Sequence, residues 1–163
     1  MFICGYRGLG KSISVRLKGL PVELTIYTDG ASRNNPGEAG AGIYILRDGE
    51  PFEQIARYLG TTTNNIAEYT AAIIGLEHAV KSGAEKVKLF ADSELMVKQI
   101  NGLYRVKNEG LKPLHAKVKG LIATIGSVEV QYIPREKNKA ADALANKAID
   151  EKENPKFQNP NIK

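Results

Sequence analysis

The chain has 163 residues, of which 42% are hydrophobic and 25% are charged, and this composition is typical of a single soluble domain with short tails. No segment approaches the ~20 consecutive apolar residues that span a bilayer, so we expect no membrane partner. Cys4 is the only cysteine, which excludes an intrachain disulfide and a cysteine-based zinc site and favours a cytoplasmic location. We expect a monomer.

The net charge of +5 is concentrated at the two ends of the chain. Residues 1–20 contribute +4 and residues 151–163 contribute +1, whereas residues 21–150 carry 16 basic and 16 acidic residues. The overall charge is therefore weak evidence that the body of the chain binds nucleic acid. One segment of the body is basic and predicts a surface for phosphates, although a solvated helix face has the same composition. Its basic residues are Lys98, Arg105, Lys107, Lys112, Lys117 and Lys119, against one acid, Glu109.

Residues 1–20 are rich in Gly and basic residues and lack clear periodicity, and we interpret them as a leader or flexible arm. The segment Gly5–Ser12 matches the P-loop pattern GxxxxGKS, but it lacks the preceding strand and the following helix that a P-loop needs. A basic arm that adds non-specific affinity for nucleic acid is the preferred interpretation. At the other end, residues 151–163 contain two Pro and three Asn, which predicts a disordered polar tail.

Hydrophobic periodicity divides residues 21–150 into elements in the order β-β-β-α-β-α-α-β-α. The small and polar residues of Ala31–Gly40 predict a loop. Three strands joined by hairpins and followed by β-α units predict an α/β fold, in which helices flank a five-stranded mixed sheet with three antiparallel and then parallel strands. The predicted strands are Val22–Thr28, Ala41–Arg47, Phe52–Leu59, Val87–Ala91 and Val128–Ile133, and the predicted helices are Ile66–Gly83, Asp92–Ile100, Leu111–Ile125 and Asn138–Ala148.

Four carboxylates are spaced so that they converge at one end of this sheet: Asp29, Glu68, Asp92 and Asp142. Two follow predicted strands and two fall in the first turn of predicted helices, and sites in such sheets collect at the carboxyl ends of parallel strands. Each acid also has a structural explanation, namely a turn, a capping box with Asn65, an N-cap and the helix dipole, respectively. Clustered carboxylates repel one another unless cations compensate them. Oxygen ligands suit Mg²⁺ or Mn²⁺, and two such ions could hydrolyse a phosphodiester.

Four segments carry a resemblance to a known family. Tyr27–Gly37 (YTDGASRNNPG) is similar to the first signature of ribonuclease H, type 1, and Thr61–Tyr69 (TTTNNIAEY) is similar to the second. Ala91–Ser93 resembles the third signature and Asn138–Ala145 (NKAADALA) resembles the fourth. One such motif has little specificity, but four in the family's order span nearly all of residues 21–150. The resemblance implies that these residues form a ribonuclease H-like catalytic domain.

The resemblance also implies an endoribonuclease that hydrolyses the RNA strand of RNA–DNA hybrids and leaves 3′-hydroxyl and 5′-phosphate ends. Two Mg²⁺ ions, or Mn²⁺ as a substitute, would be bound together with substrate. Asp29 and Asp92 would be central metal ligands, Glu68 would lie near the ribose 2′-hydroxyl, and Asp142 would hold the second ion. The residues assigned to contact the hybrid are Gly30, Ser32, Asn34, Asn35, Thr63, Asn64, Asn65, Lys98, Arg105 and Lys107.

The loop before the last acid departs from the family pattern. Many members carry a mobile His in this loop that assists product release, whereas residues 133–138 contain no His. Arg135, Glu136 and Asn138 are the candidates for an auxiliary role there. His78 and His115 fall within predicted helices, and we interpret them as packed or surface residues.

The family's extended basic handle is missing or reduced, because Gly102–Leu111 is too short for an inserted helix. Two further interpretations remain open. The same fold could act on double-stranded RNA or another nucleic acid, or the chain could be a non-catalytic nucleic-acid-binding module. The four acids argue against a binding module, since clustered negative charge weakens phosphate binding.

Overall fold

The computed structural model describes residues 19–161. The Gly5–Ser12 pattern and all but the last two residues of the expected arm lie outside this range. The predicted order of elements is confirmed. The strands are β1 (Glu23–Ser32), β2 (Gly37–Arg47), β3 (Glu50–Thr62), β4 (Lys86–Ala91) and β5 (Ser127–Tyr132), and the helices are α1 (Asn64–Lys81), α2 (Glu94–Ile100), α3 (Lys112–Ile125) and α4 (Lys139–Asp150). None of these helices is long and apolar enough to cross a membrane.

The sheet has five strands in the order β3-β2-β1-β4-β5, and the predicted mixed sheet is confirmed. β1 pairs with β2 and β2 with β3 in antiparallel fashion, whereas β4 lies parallel to β1 and β5 lies parallel to β4. Because β1 and β4 are parallel neighbours, their carboxyl ends meet at the same edge of the sheet. This pairing positions the candidate site.

Each face of the sheet is covered by a different helix. β1 and β2 direct alternate apolar side chains, including Leu24, Ile26, Ile43 and Ile45, toward α1, and all four are 0% exposed. α3 packs against α1, whereas α4 packs on the opposite face over β1, β2 and β3. α4 approaches closely, since a Cβ atom at Gly42 would lie 2.0 Å from the Ala141 carbonyl oxygen. Burial on both faces therefore fixes where both helices lie.

The prediction of a loop over Ala31–Gly40 was too long. Ala31 pairs with Gly40 and Ser32 pairs with Ala39, so that β1 and β2 continue into this segment and only residues 33–36 connect them. The side chains of this segment are small and polar, so it lacks the alternating apolar pattern that predicts a strand. They suit the pairing nonetheless, because α4 requires small residues on β2.

Residues 151–163 were predicted to form a disordered tail, but part of this segment packs against the domain within the residues that the structure describes. Residues Pro155–Phe157 form one 3₁₀ turn, and the Phe157 side chain is 5% exposed against Ala56 and Ala148. The Arg57 guanidinium also donates a hydrogen bond of 3.2 Å to the Lys156 carbonyl oxygen. A single aromatic residue anchors a segment whose average composition is polar.

Candidate active site

Three carboxylates meet at the carboxyl edge of the parallel strands. Thr28 of β1 pairs with Ala91 of β4. Asp29 follows Thr28 and Asp92 follows Ala91, so these two acids lie side by side. Glu68 approaches them from α1. One oxygen from each of these carboxylates lies within 4.8 Å of the other two, and the Asp29 and Glu68 side chains are buried.

Glu68 reaches the cluster because α1 packs directly on the backbone of Gly30. A Cβ atom at Gly30 would lie 2.2 Å from the Glu68 nitrogen and from the Ala67 carbonyl carbon. The Gly30 N–H faces the Glu68 carboxylate and lowers the pKa of Glu68, against the larger effects that raise it. Glu68 Oε2 is buried without a hydrogen-bond partner among the described residues.

The structural explanations for Glu68 and Asp92 as helix caps are wrong. The N-cap of α1 is Thr63, whose Oγ1 accepts from the Ile66 N–H at 3.3 Å, so Glu68 lies in the second turn and makes no capping box with Asn65. The N-cap of α2 is Ser93, whose Oγ accepts from the Met96 N–H at 3.3 Å. Asp92 is therefore not used to begin its helix.

Asp142 lies beside the three-carboxylate cluster but is not one of its members. It is in the first turn of α4, as predicted, and contact with Asp142 contributes to the raised pKa of Asp29. Asp142 Oδ1 accepts from Arg135 Nη2 at 3.1 Å, and the Asp142 carbonyl oxygen accepts from Asn146 Nδ2 at 2.9 Å. Arg135 belongs to the loop before α4, which lacks the His of many family members, and it supplies a positive charge next to Asp142.

Burial and mutual repulsion disfavour negative charge in the cluster. Burial, followed by the charge of Asp92, raises the pKa of Asp29 from 3.8 to about 8. Burial, followed by the charges of Asp29 and Asp92, raises the pKa of Glu68 well above its ordinary value. A cation in the cleft would relieve both effects.

The donor set fits a hard divalent cation. The cleft has a volume of about 410 Å³ and is lined by Asp29, Glu68, Asp92 and Arg135, among others. The converging donors are all carboxylate oxygens, and Glu68 Oε2 has no other partner. Oxygen-only ligands favour Mg²⁺ or Mn²⁺ over zinc. The carboxylate cluster therefore suits a hard divalent cation.

We expect the metal-free protein to lose stability as the pH rises from about 4 to about 8. Folded Asp29 keeps its proton up to its pKa of about 8, whereas the unfolded carboxyl, with an ordinary pKa of 3.8, releases it earlier. The folded state thus binds the extra proton in this interval, and the free energy of unfolding falls with rising pH. Thermal unfolding in EDTA should give a lower Tm at about pH 8 than at about pH 5.

Two variants separate this effect from general pH sensitivity. Asp29→Asn should reduce the difference in Tm between the two pH values, whereas Glu129→Gln, at an exposed position on β5, should leave it unchanged. An unreduced difference in Asp29→Asn would show that this carboxyl does not carry the pH dependence. Mn²⁺ binds the ionised carboxylates, so it should raise Tm most at the higher pH.

The structure brings some of the predicted substrate-contact residues of the two Asn-rich motifs to the cleft. Gly30, Ser32 and Asn64 line it. The side-chain Oδ1 of Asn35 accepts from the Asn64 N–H at 3.0 Å, which joins the two motifs. The side chain of Thr63 caps α1, and the remaining predicted residues, Asn34 and Asn65, are exposed.

The basic surface is smaller than the sequence suggested, because acids neutralise part of it. Salt bridges join Lys98 to Glu94 at 2.9 Å, Lys112 to Glu109 at 2.6 Å and Lys117 to Glu77 at 2.9 Å. Lys119 Nζ instead donates to the Ile100 carbonyl oxygen at 3.1 Å. Arg105 and Lys107 are exposed and form no salt bridge within residues 19–161.

Four residues of the cleft were not predicted: Ala31, Arg33, Ser93 and Asn146. Arg33 and Ser93 belong to the recognised motifs. Asn146 could have been found from helix periodicity, since it lies four residues after Asp142 on the same face of α4. The two histidines have packing contacts elsewhere, His115 with Tyr69 and His78 with Phe52.

Comparison with known proteins places this arrangement in a family. The model of the Reverse transcriptase-like family matches residues 27–148. The bifunctional protein Rv2228c of Mycobacterium tuberculosis is 36% identical over 131 residues, which are 79% of this chain and 36% of that protein. Ribonuclease HI of Halobacterium salinarum is 36% identical over 126 residues, which are 77% of this chain and 63% of that protein. The chain thus spans less than two thirds of the length of both relatives.

Two solved structures share this fold over nearly the full length of their chains. LC11-RNase H1, crystallised in complex with an RNA/DNA hybrid, has a TM-score of 0.76 and 40% identity, and the match covers 80% of this chain and 99% of that one. RNase H1 of Halobacterium salinarum also has a TM-score of 0.76, with 36% identity, covering 78% of this chain and 98% of that one. The chain belongs to the type 1 ribonuclease H family.

Proposed function

We propose that this protein is an endoribonuclease that hydrolyses the RNA strand of RNA–DNA hybrids and leaves 3′-hydroxyl and 5′-phosphate ends. The observation that carries the proposal is the cluster of Asp29, Glu68 and Asp92, whose oxygens lie within 4.8 Å of one another in a chain of this family. LC11-RNase H1, which is 40% identical, was crystallised with such a hybrid.

Catalysis in this proposal depends on two divalent ions, Mg²⁺ or Mn²⁺. Asp29, Glu68 and Asp92 would hold one side of the metal site, and Asp142 would complete the site for the second ion. Bound there, the two ions would activate a water molecule and stabilise the leaving oxygen of the phosphodiester. The carboxylates would hold the ions in the cleft, and a bound cation would relieve the burial and mutual repulsion that raise the pKa values of Asp29 and Glu68.

Arg135 is the proposed auxiliary residue of the loop before α4. Its side chain is 76% exposed and contacts Asp142 at 3.1 Å. A guanidinium at this position can leave the carboxylate when a cation arrives and then contact a phosphate oxygen. Glu136 and Lys137 of the same 3₁₀ turn are exposed and point to no specific partner among the described residues.

Recognition of the hybrid would use the rim of the cleft. Glu68 would contact a ribose 2′-hydroxyl, which distinguishes RNA from DNA. Asn35, Asn64 and Asn65 would contact base edges and sugars in the minor groove, because an amide both donates and accepts hydrogen bonds. The further proposed contacts are Gly30, Ser32, Asn34, Thr63, Lys98, Arg105 and Lys107. One chain supplies all four acids, so we propose a monomer, and the single cysteine suits the cytoplasm.

Cleavage of end-labelled substrates tests the proposal. We expect the RNA strand of a hybrid to be cut faster than duplex RNA, duplex DNA to remain intact, and EDTA to stop cleavage. Gel mobility and phosphatase sensitivity of the products identify their ends. Faster cleavage of duplex RNA would reassign the substrate, and cleavage that persists in EDTA would exclude the metal-dependent mechanism. Hybrid binding without any cleavage would instead indicate a non-catalytic module.

A further inference from the structure

Asn138 connects three of the four segments that carry the acids. It is 1% exposed and directly precedes α4, which carries Asp142. Its Nδ2 donates hydrogen bonds of 2.9 Å to the Thr28 carbonyl oxygen of β1 and of 2.9 Å to Asp92 Oδ2. One buried amide therefore joins the end of β1, the residue after β4 and the start of α4.

The orientation of this amide is determined by its neighbours. The Thr28 carbonyl oxygen and the Asp92 carboxylate are both acceptors, so the nitrogen must face them. The opposite orientation would place the amide oxygen against two other oxygens. Asn138 Oδ1 is consequently buried without a hydrogen-bond partner among the described residues. The side chain also gives no capping bond to its own helix, although Asn is a favoured N-cap residue.

These contacts have a cost and serve the acid cluster rather than the helix. A buried amide oxygen without a donor is unfavourable, and a cap that is not used forgoes local stabilisation. Asp92 lies beside Asp29 and Glu68, and repulsion from those carboxylates would turn its side chain away from the cleft. The Asn138 N–H holds Asp92 Oδ2, and the other oxygen of this carboxylate makes no hydrogen bond to Asn138.

We propose that Asn138 is a positioning residue that holds the Asp92 carboxylate in its metal-binding orientation before any ion arrives. The proposal rests on the proposed metal-dependent function and adds a preorganised ligand to it. Groups that orient metal ligands in this way typically change metal affinity or activity by roughly 10- to 100-fold when they are replaced. The role is distinct from that of a ligand, since Asn138 reaches the site only through Asp92.

Two variants test the positioning role. Asn138→Ala removes the amide, and Asn138→Asp keeps its shape but lacks the N–H donors. We expect both to weaken Mn²⁺ binding, measured by calorimetry without substrate, by roughly 10-fold or more. We also expect kcat for the hybrid to fall by a similar factor, whereas KM should change little because Asn138 contacts no substrate. Unchanged Mn²⁺ affinity in both folded variants would overturn the proposal.

Asn101→Ala is the matched control. Asn101 Nδ2 donates a 3.0 Å hydrogen bond to the Val130 carbonyl oxygen of β5, which is the same kind of tether between an amide and a strand, but it touches no acid. We expect this variant to lower Tm without changing Mn²⁺ affinity or kcat. If Asn138→Ala behaved in the same way, its role would be structural and the proposal would be wrong.

Hydrogen exchange tests the same contacts in the unsubstituted protein, so this experiment does not require a folded variant. The side-chain NH₂ protons of Asn138 should exchange with solvent far more slowly than those of exposed Asn64, and their NMR shifts should change on adding Mg²⁺. Exchange as fast as that of Asn64 would overturn the proposal. A protein that binds Mn²⁺ and protects Asn138 but cleaves no hybrid would refute the proposed function while leaving the positioning of Asp92 intact.

Discussion

Replacing Asp92 with Asn should abolish hydrolysis of the RNA–DNA hybrid. The substitution removes a charged oxygen ligand from the three-carboxylate cluster while keeping the shape of the side chain. Charge stabilisation by a bound metal contributes several kcal/mol to catalysis, so its loss should lower kcat by roughly 10³-fold or more. Single-turnover cleavage of labelled hybrid at saturating Mg²⁺ measures this effect.

The control for this experiment is the same chemical change at a remote site. Asp48→Asn alters an exposed turn residue with φ 49°, a backbone conformation that Asn adopts readily, and should retain full activity. The loss in Asp92→Asn should not come from unfolding, because removing one of three repelling carboxylates should leave Tm in EDTA unchanged or higher. Cleavage at the unsubstituted rate by Asp92→Asn would refute the mechanism.

Gly30→Ala should destabilise the fold and impair metal binding together. The added Cβ would lie 2.2 Å from two backbone atoms of α1, and backbone atoms cannot move aside as a side-chain tip can. Overpacking of this kind costs about 3 kcal/mol or more, which corresponds to a fall in Tm of roughly 6–12 °C for a chain of this size. Because the Gly30 N–H also favours the charged form of Glu68, Mn²⁺ affinity should fall as well.

Gly120→Ala provides the matched comparison. Gly120 lies in α3, and a Cβ atom there would have no neighbour within 4 Å. Replacing an exposed helical Gly with Ala adds up to about 1 kcal/mol of stability, so Tm should stay the same or rise. If Gly30→Ala matched Gly120→Ala in Tm and in Mn²⁺ affinity, the close approach of α1 to β1 would not matter for the site.

The sheet and the acids that follow its strands could be predicted because their signals are local. A β-branched and aromatic run marks β1 and a short, nearly all-apolar run marks β4, and Asp29 and Asp92 lie next to their ends in the sequence. Parallel pairing of two such strands then brings the acids together without further information. The strand order was not predicted, because β4 and β5 are reached through helices, and such connections do not determine which strand each one pairs with.

Contacts between distant residues could not be predicted in this way. The pairing of Asn138 with Asp92 joins residues 46 positions apart, and nothing in their local sequence distinguishes it from helix capping. Phe157 is a single aromatic residue in a polar segment, and only the surface of β3 and α4 shows that it has a place to pack. The salt bridge between Lys117 and Glu77 likewise depends on how α3 lies against α1.

The parallel register of β1 and β4 has a consequence for how chains of this kind can change in length. Successive residues of a strand face opposite sides of the sheet, so inserting or deleting one residue in β4 would turn Asp92 away from Asp29. The connection between α2 and α3, residues 101–111, lies outside the strands and supplies none of the four acids. Evolutionary gain or loss of residues should therefore accumulate in that connection, which can vary the outer binding surface while the paired strands keep a constant length.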